Sequence, residues 1–134
     1  MTAFGIILLG LGPGDSQLLT RQAWGIIANA SEIYLRTRQH PAVDGLPKGL
    51  QLHSFDHLYD QLESFEDVYT QIVDRILELG QRPNGVIYAV PGHPFVAETT
   101  GPEIYRRAQT MSIPVRICEG LSYLEPTFSA LGID

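Results

Sequence analysis

Cysteine is almost missing from this 134-residue chain: Cys118, set in the apolar stretch Val115-Arg116-Ile117-Cys118, is its single thiol. One cysteine cannot make an internal disulfide, so the fold must be held by its core, and a thiol in apolar surroundings is expected to be inert. No apolar run approaches the roughly 20 residues of a membrane-spanning helix. Nor does the start carry a positive segment leading into a signal-like stretch, because Phe4–Leu9 is short and runs into glycines. A cytoplasmic location and no membrane contact are the expectation. Basic residues are scarce: 9 Lys and Arg against 15 Asp and Glu leave a net charge of −6. A polyanion binder needs a basic stripe, and the local cluster Arg36-Thr37-Arg38-Gln39-His40 is too small to be one, so no nucleic-acid partner is expected. His93 has no Cys, Asp or Glu at ligand spacing, and His40, His53 and His57 are dispersed, so no metal is expected either.

What is present is the composition of a soluble globular domain, 44% hydrophobic and 18% charged, long enough to bury a core without staples. Short apolar runs alternate with helical periodicity. Phe4–Leu9 reads as a strand buried on both faces, and 16–30 as a helix capped by Asp15 or Ser16. Glu32–Leu35 is a second strand, followed by a polar loop to Lys48 with one helical turn after Pro41. Residues 50–55 alternate as a third, more exposed strand. The clearest helix is 63–79, where Phe65, Val68, Tyr69, Ile72, Ile76 and Leu79 form one apolar stripe. Ser64 with Asp67 resembles a capping box, and Gly80 is a natural C′ residue. Val86–Val90 is a fourth strand, 98–110 a helix, 114–118 a fifth strand, and a last helix runs toward Leu131.

Five strand–helix units with short links predict an α/β domain: a mostly parallel five-stranded sheet with helices on both faces. Ligands of such sheets sit beyond the carboxyl ends of the strands. Three loops occupy that position: Gly10–Asp15, Pro91–Val96 and Glu119–Tyr123. The first is not a dinucleotide fingerprint, because the third glycine position of G-x-G-x-x-G falls on Asp15 and the second strand ends in Leu35-Arg36 without an acid. It is not a P-loop, because no Gly-Lys-Ser/Thr opens the helix. Asp15 would also repel a phosphate at the helix start. The loop is therefore read as one wall of a cleft for a phosphate-free ligand. His93 is read as lining that cleft. Ser122 lacks the G-x-S-x-G surroundings of a hydrolase nucleophile.

Together these loops resemble the tetrapyrrole (corrin/porphyrin) methylases, the class III S-adenosylmethionine-dependent methyltransferases. The family's opening G-x-G-x-G-D loop matches Gly10-Leu11-Gly12-Pro13-Gly14-Asp15, followed by Leu18-Leu19-Thr20. Its G-D-P loop after the fourth strand matches Pro91-Gly92-His93-Pro94-Phe95-Val96, and its P-G-x-S turn matches Glu119-Gly120-Leu121-Ser122-Tyr123. Tyr34-Leu35-Arg36-Thr37, His40-Pro41, Ser54-Phe55-Asp56, Tyr59 and Ser64-Phe65-Glu66 resemble the branch fused to a MazG-type nucleotide pyrophosphohydrolase, in which the G-D-P loop reads G-H-P. The departures are His93 for aspartate and Glu119 for proline. The resemblance implies that residues 1–134 are the N-terminal domain, with a second methylase domain absent from this chain. It implies S-adenosylmethionine as cofactor, S-adenosylhomocysteine as product, and contacts from Pro13, Pro91, Gly92, His93, Val96, Ser122 and Tyr123. It names no catalytic residue. Implied partners are a small-molecule methyl acceptor and a fused or associated MazG-like domain. An apolar face left by the absent half is expected to drive homo-oligomerisation, a homodimer being the simplest case. The alternative is a non-catalytic ligand-binding or regulatory module attached to the pyrophosphohydrolase.

Overall fold

The structure is a computed structural model describing residues 5–134. Its centre is β1 (Ile6–Gly10), buried along its whole length because it lies between two other strands. The remaining strands are β2 (Glu32–Leu35), β3 (Gln51–Ser54), β4 (Val86–Val90) and β5 (Val115–Cys118). They form one sheet in the order β3-β2-β4-β1-β5, and every adjacent pair is parallel. Phe4, expected in the first strand, lies outside the described residues.

Helices cover both faces, as the alternating pattern requires. The helices are α1 (Arg21–Ala28), α2 (Asp56–Gln61), α3 (Phe65–Leu79), α4 (Thr100–Thr110) and α5 (Leu124–Leu131). On one face Val68, Ile72, Ile76 and Leu77 of α3 and Ile104 and Ala108 of α4 pack on Leu8, Tyr88 and Val90. On the other, Ala23 and Ile27 of α1 pack with Ala42 and Leu46 on Leu9, Leu11, Ile33 and Ala89. Alternate residues of β1 thus feed different cores, as the two-residue period of a strand dictates.

Four local expectations change. The helix expected over 16–30 is a 3-10 turn at Ser16–Leu18, then an extended Leu19, then α1. The break follows from two competing caps: Asp15 accepts the Gln17 N–H at 2.9 Å, and Thr20 accepts the Ala23 N–H at 3.0 Å, starting a new helix. Gly80 is the C-cap of α3 rather than C′, with φ −65°; a Cβ there would lie 2.5 Å from Cγ1 of Ile6. Phe65, in the first turn of α3, leaves the expected stripe and is 67% exposed, with its ring beside those of Tyr59 and Tyr69. The short α2 was not anticipated. Ser64 does cap α3, accepting the Asp67 N–H at 3.2 Å.

α5 buries none of its residues. Around it Leu121, Tyr123, Phe128, Leu131 and Ile133 are all exposed. No helix among the described residues is long and apolar enough to cross a membrane.

Candidate functional site

The strand order creates the site. From β1 the chain crosses one face through α1 to reach β2, whereas from β4 it crosses the opposite face through α4 to reach β5. β1 and β4 are neighbours in register, Gly10 beside Val90, so their exits diverge and mark a switch point at their carboxyl ends. Parallel sheets bind ligands at such a switch point.

At that switch point the first two loops pair with each other. The Gly12 N–H donates to the Gly92 carbonyl at 3.2 Å, and the Gly92 N–H returns a bond to the Gly12 carbonyl at 2.8 Å. Both residues have positive φ, +79° and +72°, which glycine adopts without Cβ strain. The third loop closes against them. A Cβ on Gly10 would lie 2.4 Å from the Gly92 carbonyl oxygen and 2.9 Å from Cα of Gly120; one on Gly120 would meet the same oxygen at 2.4 Å. Three backbones therefore touch where no side chain fits.

Of the seven implied site residues, Gly92, His93 and Ser122 meet the junction directly, and Pro13, Pro91, Val96 and Tyr123 stand beside it along the chain. Pro13 follows Gly12, Pro91 precedes Gly92, and Gly92 lies against Ser122, whose Cα is 3.8 Å from where a Gly92 Cβ would be. His93 reaches across to the third loop, with Nε2 3.9 Å from a Glu119 carboxylate oxygen, beyond hydrogen-bond range. Val96 closes a turn whose N–H donates to the His93 carbonyl at 3.2 Å. Tyr123, 56% exposed, stands at the start of α5 and only its sequence position ties it to the junction.

Hydrogen bonding limits what these groups can offer. The Phe95 N–H donates to Nδ1 of His93 at 3.0 Å, so in the neutral ring the proton is carried on Nε2. Buried Ser122 is engaged in a reciprocal cap: its Oγ accepts the Leu124 N–H at 3.1 Å and donates to Glu125 at 2.9 Å, while the same carboxylate accepts the Ser122 N–H. The Ser-x-x-Glu spacing was the legible signal for this cap.

Residues after β2, which the pattern did not assign to the site, also reach it. His40 Nε2 lies 3.0 Å from the Gly12 carbonyl and is its donor. Burial lowers the His40 pKa; the bond to Gly12 opposes this and the Arg36 guanidinium adds to it, so the ring is held neutral. Arg36 pairs with Glu98 at the end of the Pro91–Val96 loop. No sequence period predicts a contact spanning 62 residues.

Residues 5–134 match the family model of the Tetrapyrrole (Corrin/Porphyrin) Methylases. The chain belongs to that family. It is 38% identical over 130 residues to Uncharacterized protein YabN of Bacillus subtilis (strain 168), covering 96% of this chain but 26% of that protein. It is similar in fold to a uroporphyrin-III-C-methyltransferase from Thermus thermophilus, at TM-score 0.65 and 24% identity over 97% of this chain and 54% of that one. A diphthine synthase matches at TM-score 0.68 and 19% identity, over 96% of this chain and 49% of that one. A Thermus thermophilus uroporphyrin-III C-methyltransferase structure complexed with S-adenosyl homocysteine matches at TM-score 0.62 and 20% identity, over 92% and 51%. This tetrapyrrole methylase chain thus spans about half the length of those structures and about a quarter of the YabN relative.

Proposed function

We propose that this chain supplies the cofactor-holding loops of an S-adenosylmethionine-dependent methyltransferase. The observation that carries the reading is the Gly12–Gly92 pairing at the switch point, closed by Gly120, which brings the three glycine loops into backbone contact at the carboxyl ends of β1 and β4. The residues fit the group chemically. The ligand has no phosphate, and no Lys or Arg lies in the three loops. It carries a sulfonium and an ammonium against one carboxylate, and the loops bear Asp15 and Glu119, with Glu125 beside Ser122. The family membership and the S-adenosyl homocysteine in one similar structure support it.

In this reading Pro13, Pro91 and Gly92 pack against the cofactor. Gly92 does so by surface rather than by hydrogen bonds, since its N–H and carbonyl both serve Gly12. Val96 and Tyr123 add apolar contact, Ser122 fixes the third loop through its cap, and His93 presents an Nε2–H. When bound, the cofactor supplies an electrophilic methyl group. Displacement at a sulfonium carbon depends chiefly on alignment, so the chain's part is to hold the donor still and no general base is assigned.

The whole protein has further partners in this proposal: a small-molecule methyl acceptor, a second domain or second copy on the exposed apolar residues around α5, and a MazG-type pyrophosphohydrolase. The greater length of YabN leaves room for such a domain there. The test is isothermal titration of S-adenosylhomocysteine into the full-length protein. Saturable heat is expected; no heat and no competition at millimolar ligand would sink the proposal.

A further inference from the structure

The Pro91–Val96 loop ends in an unusual way. Ala97 has φ +52°, a left-handed conformation that costs a residue bearing a Cβ. The next residue, Glu98, has a side chain only 2% exposed. A carboxylate so buried is stable only when paired and hydrogen-bonded, and each oxygen is served. Oε2 meets Nη1 of Arg36 at 2.5 Å. Oε1 accepts the Thr100 N–H at 3.1 Å and the Thr100 hydroxyl at 2.6 Å. That hydroxyl lies 2.8 Å from the phenolic oxygen of fully buried Tyr88, which donates to it. Arg36 is itself fixed, because its N–H donates to the Ala89 carbonyl at the end of β4. The ion pair therefore ties the far end of the loop to the strand from which the loop departs.

The near end is tied by the same segment. His40, four residues after Arg36, holds the carbonyl of Gly12, which also accepts the Gly92 N–H. Between these anchors lie His93 and Val96. We propose that Arg36 and Glu98 are positioning residues for the cofactor loop: their ion pair forces the left-handed turn at Ala97 and thereby sets where Val96 and His93 stand. The proposal rests on the cofactor reading for its consequence, but the clamp itself is independent of it. A buried ion pair contributes little net stability compared with apolar residues of the same size. Its effect is on which conformation the loop adopts.

The experiment uses the full-length protein and the variants Glu98→Gln, Arg36→Met and the double variant. Two quantities are read: the dissociation constant for S-adenosylhomocysteine, and the ring nitrogen chemical shifts of His93, which report whether Nδ1 still accepts the Phe95 N–H. Glu98→Gln should weaken binding at least tenfold and move the His93 shifts toward a mixture of tautomers. The double variant leaves no unpaired charge, so it should recover the wild-type urea midpoint yet keep the weak binding and the altered His93 spectrum. Recovery of affinity with stability would overturn the proposal in favour of a merely structural pair, as would a Glu98→Gln protein with unchanged His93 shifts. Should the parent protein fail to bind S-adenosylhomocysteine, the cofactor reading falls, and the His93 spectra still decide the clamp. Should a single variant fail to fold, the double variant carries the decision.

Discussion

Gly120→Ala is the sharpest perturbation of the junction, because it adds one methyl group and nothing else. Gly120 does not have positive φ, so alanine can adopt its backbone conformation and no torsional penalty enters. The added Cβ would stand 2.4 Å from the Gly92 carbonyl oxygen and 3.0 Å from the carbonyl carbon and Cα of Gly10, where ordinary contact begins at 3.4 Å. All three obstacles are backbone, so no rotamer change relieves them and the loops must part by about 1 Å. Overpacking of this kind costs about 1–3 kcal/mol. Losing the reciprocal Gly12–Gly92 bonds adds about 1 kcal/mol each at most, which puts the whole effect at roughly 1–5 kcal/mol. At about 3 °C per kcal/mol for a domain of this size, the melting temperature should fall by roughly 3–15 °C. Gly14→Ala is the matched control in the same region: nothing lies within 4 Å of its added Cβ and its φ is not positive. That variant should be unchanged or more stable by about 0.4–1 kcal/mol, through the stiffer unfolded chain. Urea unfolding of both variants decides the matter. A Gly120→Ala protein within about 0.5 kcal/mol of wild type, the usual span of an inconsequential surface change, would refute the three-backbone contact.

Gly25 lies inside α1 with nothing within 4 Å of an added Cβ, so Gly25→Ala should raise stability by about 0.5–1 kcal/mol in the same urea assay. His40 titrates below its ordinary value of 6.5 in the fold, because burial disfavours its charge. Between the folded and ordinary pKa values the unfolded chain binds more protons, so this contribution is full above about pH 6.5 and is lost as pH falls toward the folded value. His40→Gln should therefore show a shallower loss of stability from pH 7 to pH 5 than wild type; parallel profiles would contradict the half-buried neutral ring. Ser122→Ala removes the cap of a helix that buries nothing, at a cost of about 1 kcal/mol. The loss should appear as roughly fivefold faster amide exchange confined to 124–131, with α3 unaffected.

Much of the molecule was legible in the sequence because its signals are short-range. The Ile6–Leu9 and Val86–Val90 runs, the stripe from Val68 to Leu79 and the glycines of the three loops each announce themselves within a window of a few residues. The limits appeared where two local signals competed, as Asp15 and Thr20 did in splitting the first helix, or where a residue's role was set by a distant neighbour, as Ile6 sets Gly80. The family, too, was readable from loops whose glycines must keep their spacing for the backbones to meet.

The sequence by itself determined the five strands, the parallel α/β class and the three glycine-bearing loops that follow β1, β4 and β5, since hydrophobic period and turn residues are properties of neighbouring positions. Only the tertiary structure decided that β4 inserts between β2 and β1, because strand order depends on how crossovers pack rather than on any local pattern. From that order follow the pairing of Gly12 with Gly92, the closure by Gly120, and the bond between Arg36 and Glu98. Each joins segments far apart in the chain: the first two exist because β1 lies between β4 and β5, and the third because β2 lies beside β4.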